Sequence, residues 1–418
     1  MPIFYTYRIS NTAIETKNIM LTRTLFALVF LFSLFVHSQS STYQTLDAEL
    51  TEISKIGLLR GFGVAVVTKD STLFSKGYGF ADVQNKVPYS ENTIQNIGSV
   101  SKTLIGIALM KAQEMGKLTL DDPINDHLDF EVSNPYHPEN PILIRHLATH
   151  TGTILDTDLY DKKAYYVRNE EDLKLPVVQS IGEELQTLNT KVSMETYLKN
   201  FLSSDGIWYK KKNFLKKKPG AKFDYTNVGA TLAAHVLEKA TGIPYDEFTG
   251  RYVLEPLEMN AAGWSFDAID VTKHSKLYTD DGQVIPQYSL VTYPDGGLLT
   301  DLHNFALYLQ ELMQGQTGEG ILLKPTSYTA LYSQQLPVKK VPKNPNRYND
   351  EFNSGIFMGF SPVGWIGHTG GDPGISTFMF FDPETGLGHI VMMNTSLSGE
   401  SVNKQLIPIF KAVNKALN

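Results

Sequence analysis

Residues 363–394 read VGWIGHTGGDPGISTFMFFDPETGLGHIVMMN. Three apolar runs, Val363–Gly371, Ile375–Phe381 and Gly388–Asn394, are rich in β-branched and aromatic residues. Asp372-Pro373-Gly374 and Pro383-Glu384-Thr385-Gly386 separate them, and both are strong turn sequences. The stretch therefore predicts three antiparallel strands joined by tight turns. The other end of the chain reads the same way. Gly61–Thr68 (GFGVAVVT) and Thr72–Tyr78 flank Lys69-Asp70-Ser71, the pattern of a hairpin.

The intervening sequence changes period. Leu46–Ile56 reads as an amphipathic helix, and Val100–Met115 as an apolar helix stopped at Gly116. Val228–Ala240 is a helix closed by Gly242 and Pro244, and Val402–Leu417 is a final amphipathic helix. From about 120 to 290 the signals are mostly helical, with polar loops at 155–185 and 205–220. The expected class is α+β: one antiparallel sheet built from both termini, flanked by helices, with an inserted and mostly helical subdomain. Residues 39–418 form a single catalytic domain in this reading. Its sheet part covers about 40–98 and 290–418, and its helical part about 99–289.

The chain has 418 residues, 42% of them hydrophobic, enough to bury a large core. Charged residues make up 19% and the formal net charge is −7. That balance excludes a nucleic-acid partner read from a basic face. The clusters Lys210–Lys212 and Lys216–Lys218 lie in polar sequence and read as a solvated loop. Leu25–Val36 is an apolar run behind Arg23 and ahead of His37-Ser38. It is shorter than the ~20 residues of a spanning helix. It reads as a secretory signal within residues 1–38, cut near Ser38, with an uncleaved anchor as the alternative. Met20 is a candidate initiator beside Met1. A secreted or periplasmic protein with no stable membrane span after cleavage is expected. There is no cysteine, hence no disulfide framework and no thiol nucleophile.

Three short motifs carry chemistry. In Ser99-Val100-Ser101-Lys102, positions i and i+3 share a face at a helix start, so Lys102 lies beside the Ser99 hydroxyl. A serine hydroxyl needs such a base to act as a nucleophile. The helix N-terminus disfavours a cation, which favours a neutral, base-competent Lys102. The spacing recurs at Ser401–Lys404, where it reads as an ordinary helix start. Tyr225-Thr226-Asn227 precedes the helix at 228. Tyr225 can relay a proton beside a positive charge, and Asn227 can hold a substrate amide. The same residues also read as packing and an N-cap. His368-Thr369-Gly370-Gly371 ends a strand whose small residues, Gly370 among them, admit close backbone approach. The peptide N–H groups of Gly371 and Ser99 can form an oxyanion hole. His150-Thr151-Gly152 repeats the pattern after a helical segment and reads as a turn lining the site.

S-x-x-K, Y-x-N and [KH]-T-G in this order resemble the penicillin-recognising serine hydrolases. The branch is that of class C β-lactamases, D-alanyl-D-alanine carboxypeptidases and related esterases. Supporting segments are GFGVAVV (61–67), KGYGFAD (76–82), GKLTLDDPI (116–124), RHLATHTG (145–152), PGAKFDYTN (219–227), DGGLLTDLHNFALYL (295–309) and GHTGGDPG (367–374). The resemblance implies a β-lactamase/transpeptidase-like fold, Ser99 as nucleophile, and Lys102 either taking its proton or tuning Tyr225. It implies Tyr225 as base and acid, Asn227 on the substrate amide, Thr369 on a carboxylate, and Ser99 with Gly371 as the oxyanion hole. It implies no metal or organic cofactor. The expected substrate is a small molecule or peptide: a D-alanyl peptide first, an ester second, a β-lactam third. A non-catalytic binding module comes last. The family's β-lactamases carry lysine where this chain has His368, which lowers the expectation of efficient β-lactam hydrolysis.

Overall fold

The computed structural model describes residues 41–180, 185–336, 352–353, 355–361 and 363–417. The expected signal at 1–38 lies outside the described residues. Helix α1 spans 41–54. The hairpin follows as β1 (Gly61–Val67) and β2 (Thr72–Asp82), with a short β3 (Val87–Pro88). Thr68 N–H donates to the Ser71 carbonyl at 2.8 Å and closes the expected turn. The second group comprises β4 (Phe352–Asn353), β5 (Gly359–Phe360), β6 (Ile366–Asp372), β7 (Ile375–Asp382) and β8 (Leu387–Met393). Pro373-Gly374 makes the tight turn between β6 and β7, with Gly374 at φ 78°. The eight strands form one sheet in the order β4-β5-β6-β7-β8-β1-β2-β3. The termini meet at its centre, where β1 and β8 pair antiparallel with Val64 opposite Val391. The α+β fold and the sheet built from both ends are as expected. The strand expected over Val363–Gly371 begins at Ile366 rather than Val363, which is exposed.

Both faces of this sheet are covered, so the central strands alternate between two cores. Phe62, Val64 and Val66 of β1 join Phe378 and Val391 on one face. Leu46 and Leu50 of α1 cover them, with Ile409 and Val413 of the C-terminal helix. Ala65 and Val67 face the other way, into a larger core with Ile390, Met392 and Phe305. That core contains α2 (Lys102–Glu114), α3 (Asn227–Thr241) and α4 (Leu302–Thr317); α5 (Ile407–Leu417) lies on the first face. Helix α2 is buried from Lys102 through Met110 and packs on α3, as a helix apolar on all sides must. Its C-terminus is at Met115, with Gly116 at φ 67°.

Two details refine the mostly helical reading of the middle of the chain. Three two-stranded ladders lie within it or join the segments at its ends. They pair Gln95–Asn96 with Leu299–Thr300, Tyr165–Val167 with Tyr288–Leu290, and Leu277–Tyr278 with Val284–Ile285. Segments this short carry no period that sequence can reveal. The expected loop at 155–185 also holds a helix, Asp158–Ala164. The Lys210–Lys212 and Lys216–Lys218 clusters are exposed, as expected. No helix among the described residues is long and apolar enough to cross a membrane.

Candidate active site

Ser99 lies in a 3-10 turn, Gly98–Ser101, and not inside the α-helix that begins at Lys102. The correction leaves the juxtaposition intact, because residues i and i+3 of a 3-10 turn eclipse. Lys102 Nζ donates to Ser99 Oγ at 2.9 Å and to the Asp295 carbonyl at 2.6 Å. The turn is fixed from two sides. Ile97 N–H donates to the Leu298 carbonyl at 3.0 Å, and Leu298 N–H donates to Ser101 Oγ at 3.2 Å. Strand β6 lies against it so closely that Gly98, at φ 56°, has room for no Cβ: one would stand 2.9 Å from Gly371 N. This contact brings the backbone of Gly371 to the turn that carries Ser99.

Tyr225 and Asn227 flank the start of α3. The N-cap is Thr226, whose Oγ1 accepts from Gly229 N–H at 3.1 Å, so Asn227 is not the cap. Lys102 Nζ stands 5.1 Å from the centre of the Tyr225 ring, within cation–π range. Tyr225 is 37% exposed, and the His368 ring lies 6.2 Å from its own. His368 is buried, and its Nδ1 donates to the Thr369 carbonyl at 2.6 Å. Thr369 is half-buried and Gly370 buried beside it. Ser99, Lys102, Tyr225, His368, Gly370 and Gly371 thus converge from three separate parts of the chain.

The electrostatics correct one expectation. Burial pushes the Lys102 ammonium down, but the charges of Tyr225 and Asp295, a hydrogen bond with Tyr225, and Asp156 outweigh it. The net direction is up, so Lys102 keeps its proton and is not the neutral base expected from the helix terminus alone. Side-chain charges at close range exceed the partial charge of a helix end. A retained cation there stabilises negative charge on the neighbouring phenol oxygen.

Sequence reasoning missed two carboxylates beneath the site, Asp295, which is buried, and Asp156, which is half-buried. Asp295 accepts from Tyr160 Oη at 3.0 Å and from Thr231 Oγ1 at 2.9 Å. Burial raises its carboxyl to about 6, against the lowering pull of Lys102. Asp156 accepts from the N–H groups of Asn227 at 2.7 Å and Val228 at 3.0 Å, and from Thr226 Oγ1 at 2.8 Å. Burial also raises Asp156. The only sequence signal was an acidic residue inside apolar or glycine-rich stretches. The alternative S-x-x-K behaves as expected: Ser401 is bound to the Ser398 cap and Lys404 pairs with Glu400 at 2.7 Å. His150 does line the site, stacked on Tyr225.

A family model described as Beta-lactamase matches residues 46–413. Protein flp of Staphylococcus aureus (strain N315) is 23% identical over 379 residues, covering 87% of this chain. The chain spans 65% of that relative's length. An octameric penicillin-binding protein homologue from Pyrococcus abyssi superposes with a TM-score of 0.67 at 21% identity, covering 88% of this chain and 77% of its own. D-amino acid amidase from Ochrobactrum anthropi SV3 gives 0.65 at 17% identity, covering 90% of this chain and 100% of its own. These structural likenesses show a shared fold.

Proposed function

Since the chain belongs to the beta-lactamase family of serine hydrolases, we propose that it forms an acyl-enzyme at Ser99 and cleaves D-alanyl peptides or related D-amino-acid amides. One observation carries the reading: the buried Lys102 ammonium touches Ser99 Oγ and lies under the Tyr225 ring. In this mechanism the Tyr225 oxygen takes the Ser99 proton, and Oγ forms a bond to the substrate carbonyl carbon. The N–H groups of Ser99 and Gly371 receive the oxyanion. The carbon–nitrogen bond then breaks, and Tyr225 returns the proton to the leaving amine. Water repeats the sequence on the ester and frees Ser99. Asn227 meets the substrate amide, and Thr369, with His368 behind it, meets a terminal carboxylate.

The test is intact-mass analysis after an activated phosphonate and after D-alanyl-D-alanine peptides. Wild type should gain one adduct and Ser99→Ala none, while Ser401→Ala labels normally. Labelling of Ser99→Ala would overturn the assignment. Ester hydrolysis without peptide cleavage would leave the esterase alternative. Rapid penicillin turnover would leave the β-lactamase one.

A specific observation favours the amide branch of this reading. A cavity of about 580 Å³ adjoins Gly371 and is lined by Asp280, Asp281 and Asp372. Acidic walls suit a substrate that carries an ammonium group, as a free D-amino-acid amide does. The O. anthropi neighbour is itself a D-amino acid amidase. Cleavage of D-alaninamide that is lost on N-acetylation would support this branch. Equal rates for the two would exclude it.

Export belongs to the same proposal, supported by the Arg23-led apolar run at Leu25–Val36. Cell fractionation with N-terminal sequencing tests it. A cytoplasmic protein that retains residues 20–38 would refute it.

A further inference from the structure

His150 grips the Tyr225 segment in three ways. Its carbonyl accepts from Asp224 N–H at 2.8 Å, and its Nδ1 accepts from Thr226 N–H at 3.2 Å. Its ring stacks on Tyr225 with centroids 4.4 Å apart and planes 29° from parallel. The residues on either side of Tyr225 are therefore bound to the same histidine that supports its ring. The imidazole is in turn wedged edge-on by Phe357 at 5.4 Å and Phe223 at 5.9 Å.

From these contacts we propose that His150 is the positioning residue that holds the Tyr225 oxygen over Lys102 and Ser99. The proposal rests on the reading of Tyr225 as the proton-transfer group. Two features make a purely structural role for His150 a poor account. An Nδ1 that accepts places the ring proton on Nε2, and Nε2 is buried with no partner among the described residues. Phenylalanine would fill the space without the stranded Nε2–H, but it would leave the Thr226 N–H without its acceptor. The residue also adopts φ 50°, a left-handed conformation rarely taken by side-chain-bearing residues. Both features cost stability, and such costs gather where a precise geometry is needed. Burial first, then the charges of Lys102 and His368, hold the imidazole far below its ordinary range. The ring beneath Tyr225 is thus neutral and adds no charge to compete with Lys102. Tyr225 is more than a third exposed, and a displaced phenol would leave Ser99 without a base.

The test is a double-mutant cycle read as the single-turnover rate of Ser99 acylation. H150N keeps an acceptor and tolerates the positive φ but removes the stacked ring. H150F keeps the ring and removes the acceptor. Each should slow acylation by roughly 10- to 100-fold, with KM changed by less than about twofold. Neither should slow Y225F any further, because a positioning residue acts only through the group it positions. If H150N acylates at the wild-type rate, or slows Y225F by the factor seen in wild type, the proposal is overturned. Failure of both His150 variants to fold would assign the residue to stability and overturn it too. A wild-type rate in Y225F alone would instead refute the Tyr225 reading, and this proposal with it.

Discussion

Gly370 runs so close to Ile97 that a Cβ placed on it would stand 2.1 Å from the Ile97 carbonyl oxygen and 3.1 Å from Ser99 N. Two segments more than 270 positions apart in sequence are thereby clamped backbone to backbone, and Gly371 N and Ser99 N share one edge of the site. Gly370→Ala should push β6 off the 3-10 turn and spread the two N–H groups. Losing one aligned oxyanion donor is worth roughly 10²–10³-fold in rate, and the phosphonate-labelling rate should fall by that order. Gly399→Ala, where a Cβ meets nothing within 4 Å, should label as wild type. Normal labelling of Gly370→Ala would show the contact to be loose.

Lys102 and Tyr225 should fail together. Lys102→Ala and Tyr225→Phe should each lower kcat by roughly 10²–10⁴-fold, the usual contribution of a positioned proton-transfer group. The double variant should be little worse than the poorer single one, because each residue is useless without the other. Kinetics on an activated ester suffice. A double variant showing the full product of the two losses would separate the residues.

Thr369 should distinguish substrates. Where a carboxylate is paired in the transition state, Thr369→Val leaves it unmatched, at about 1–3 kcal/mol for a buried polar group. D-alanyl peptide cleavage should fall roughly tenfold or more, while an acetate ester, which has no carboxylate, is hydrolysed almost as before. Equal losses on both substrates would remove Thr369 from carboxylate recognition.

Asp295 should leave a mark on stability against pH. Its carboxyl is raised from 3.8 to about 6, chiefly by burial. The fold therefore binds this proton more tightly than the unfolded chain, and stability falls as pH rises from 4 to 6. A shift of about two pH units corresponds to a few kcal/mol, on the order of 3. Asp295→Asn removes this dependence. Its Tm relative to wild type should rise across that window and level off above it. A Tm difference that stays constant from pH 4 to 8 would contradict the assignment.

Much of the fold was legible because its signals are local. Pro373-Gly374 and the 383–386 turn cut a long apolar stretch into strands, and Gly116 and Gly242 end helices at the expected places. The two-residue pairings at Leu277–Tyr278 and Gln95–Asn96 left no such signal, since two residues have no period. In the site, residue type and spacing singled out Ser99, Lys102, Tyr225 and the His368–Gly371 run. Asp156 and Asp295 went unread, because a lone aspartate looks the same whether it ends under water or under α3.

By itself the sequence determined the main strands and helices, though not all of their ends, the sheet drawn from both termini, and the three motifs. Each of these depends on neighbours a few residues away, through turn chemistry, side-chain period and i,i+3 adjacency. Only the tertiary structure decided the charge on Lys102, the burial of Asp295, and the stacking of His150 beneath Tyr225. Those depend on which distant segments exclude water from a group and which charges they bring to it. Desolvation and Coulomb energy follow distance in space, which a linear order of residues does not contain.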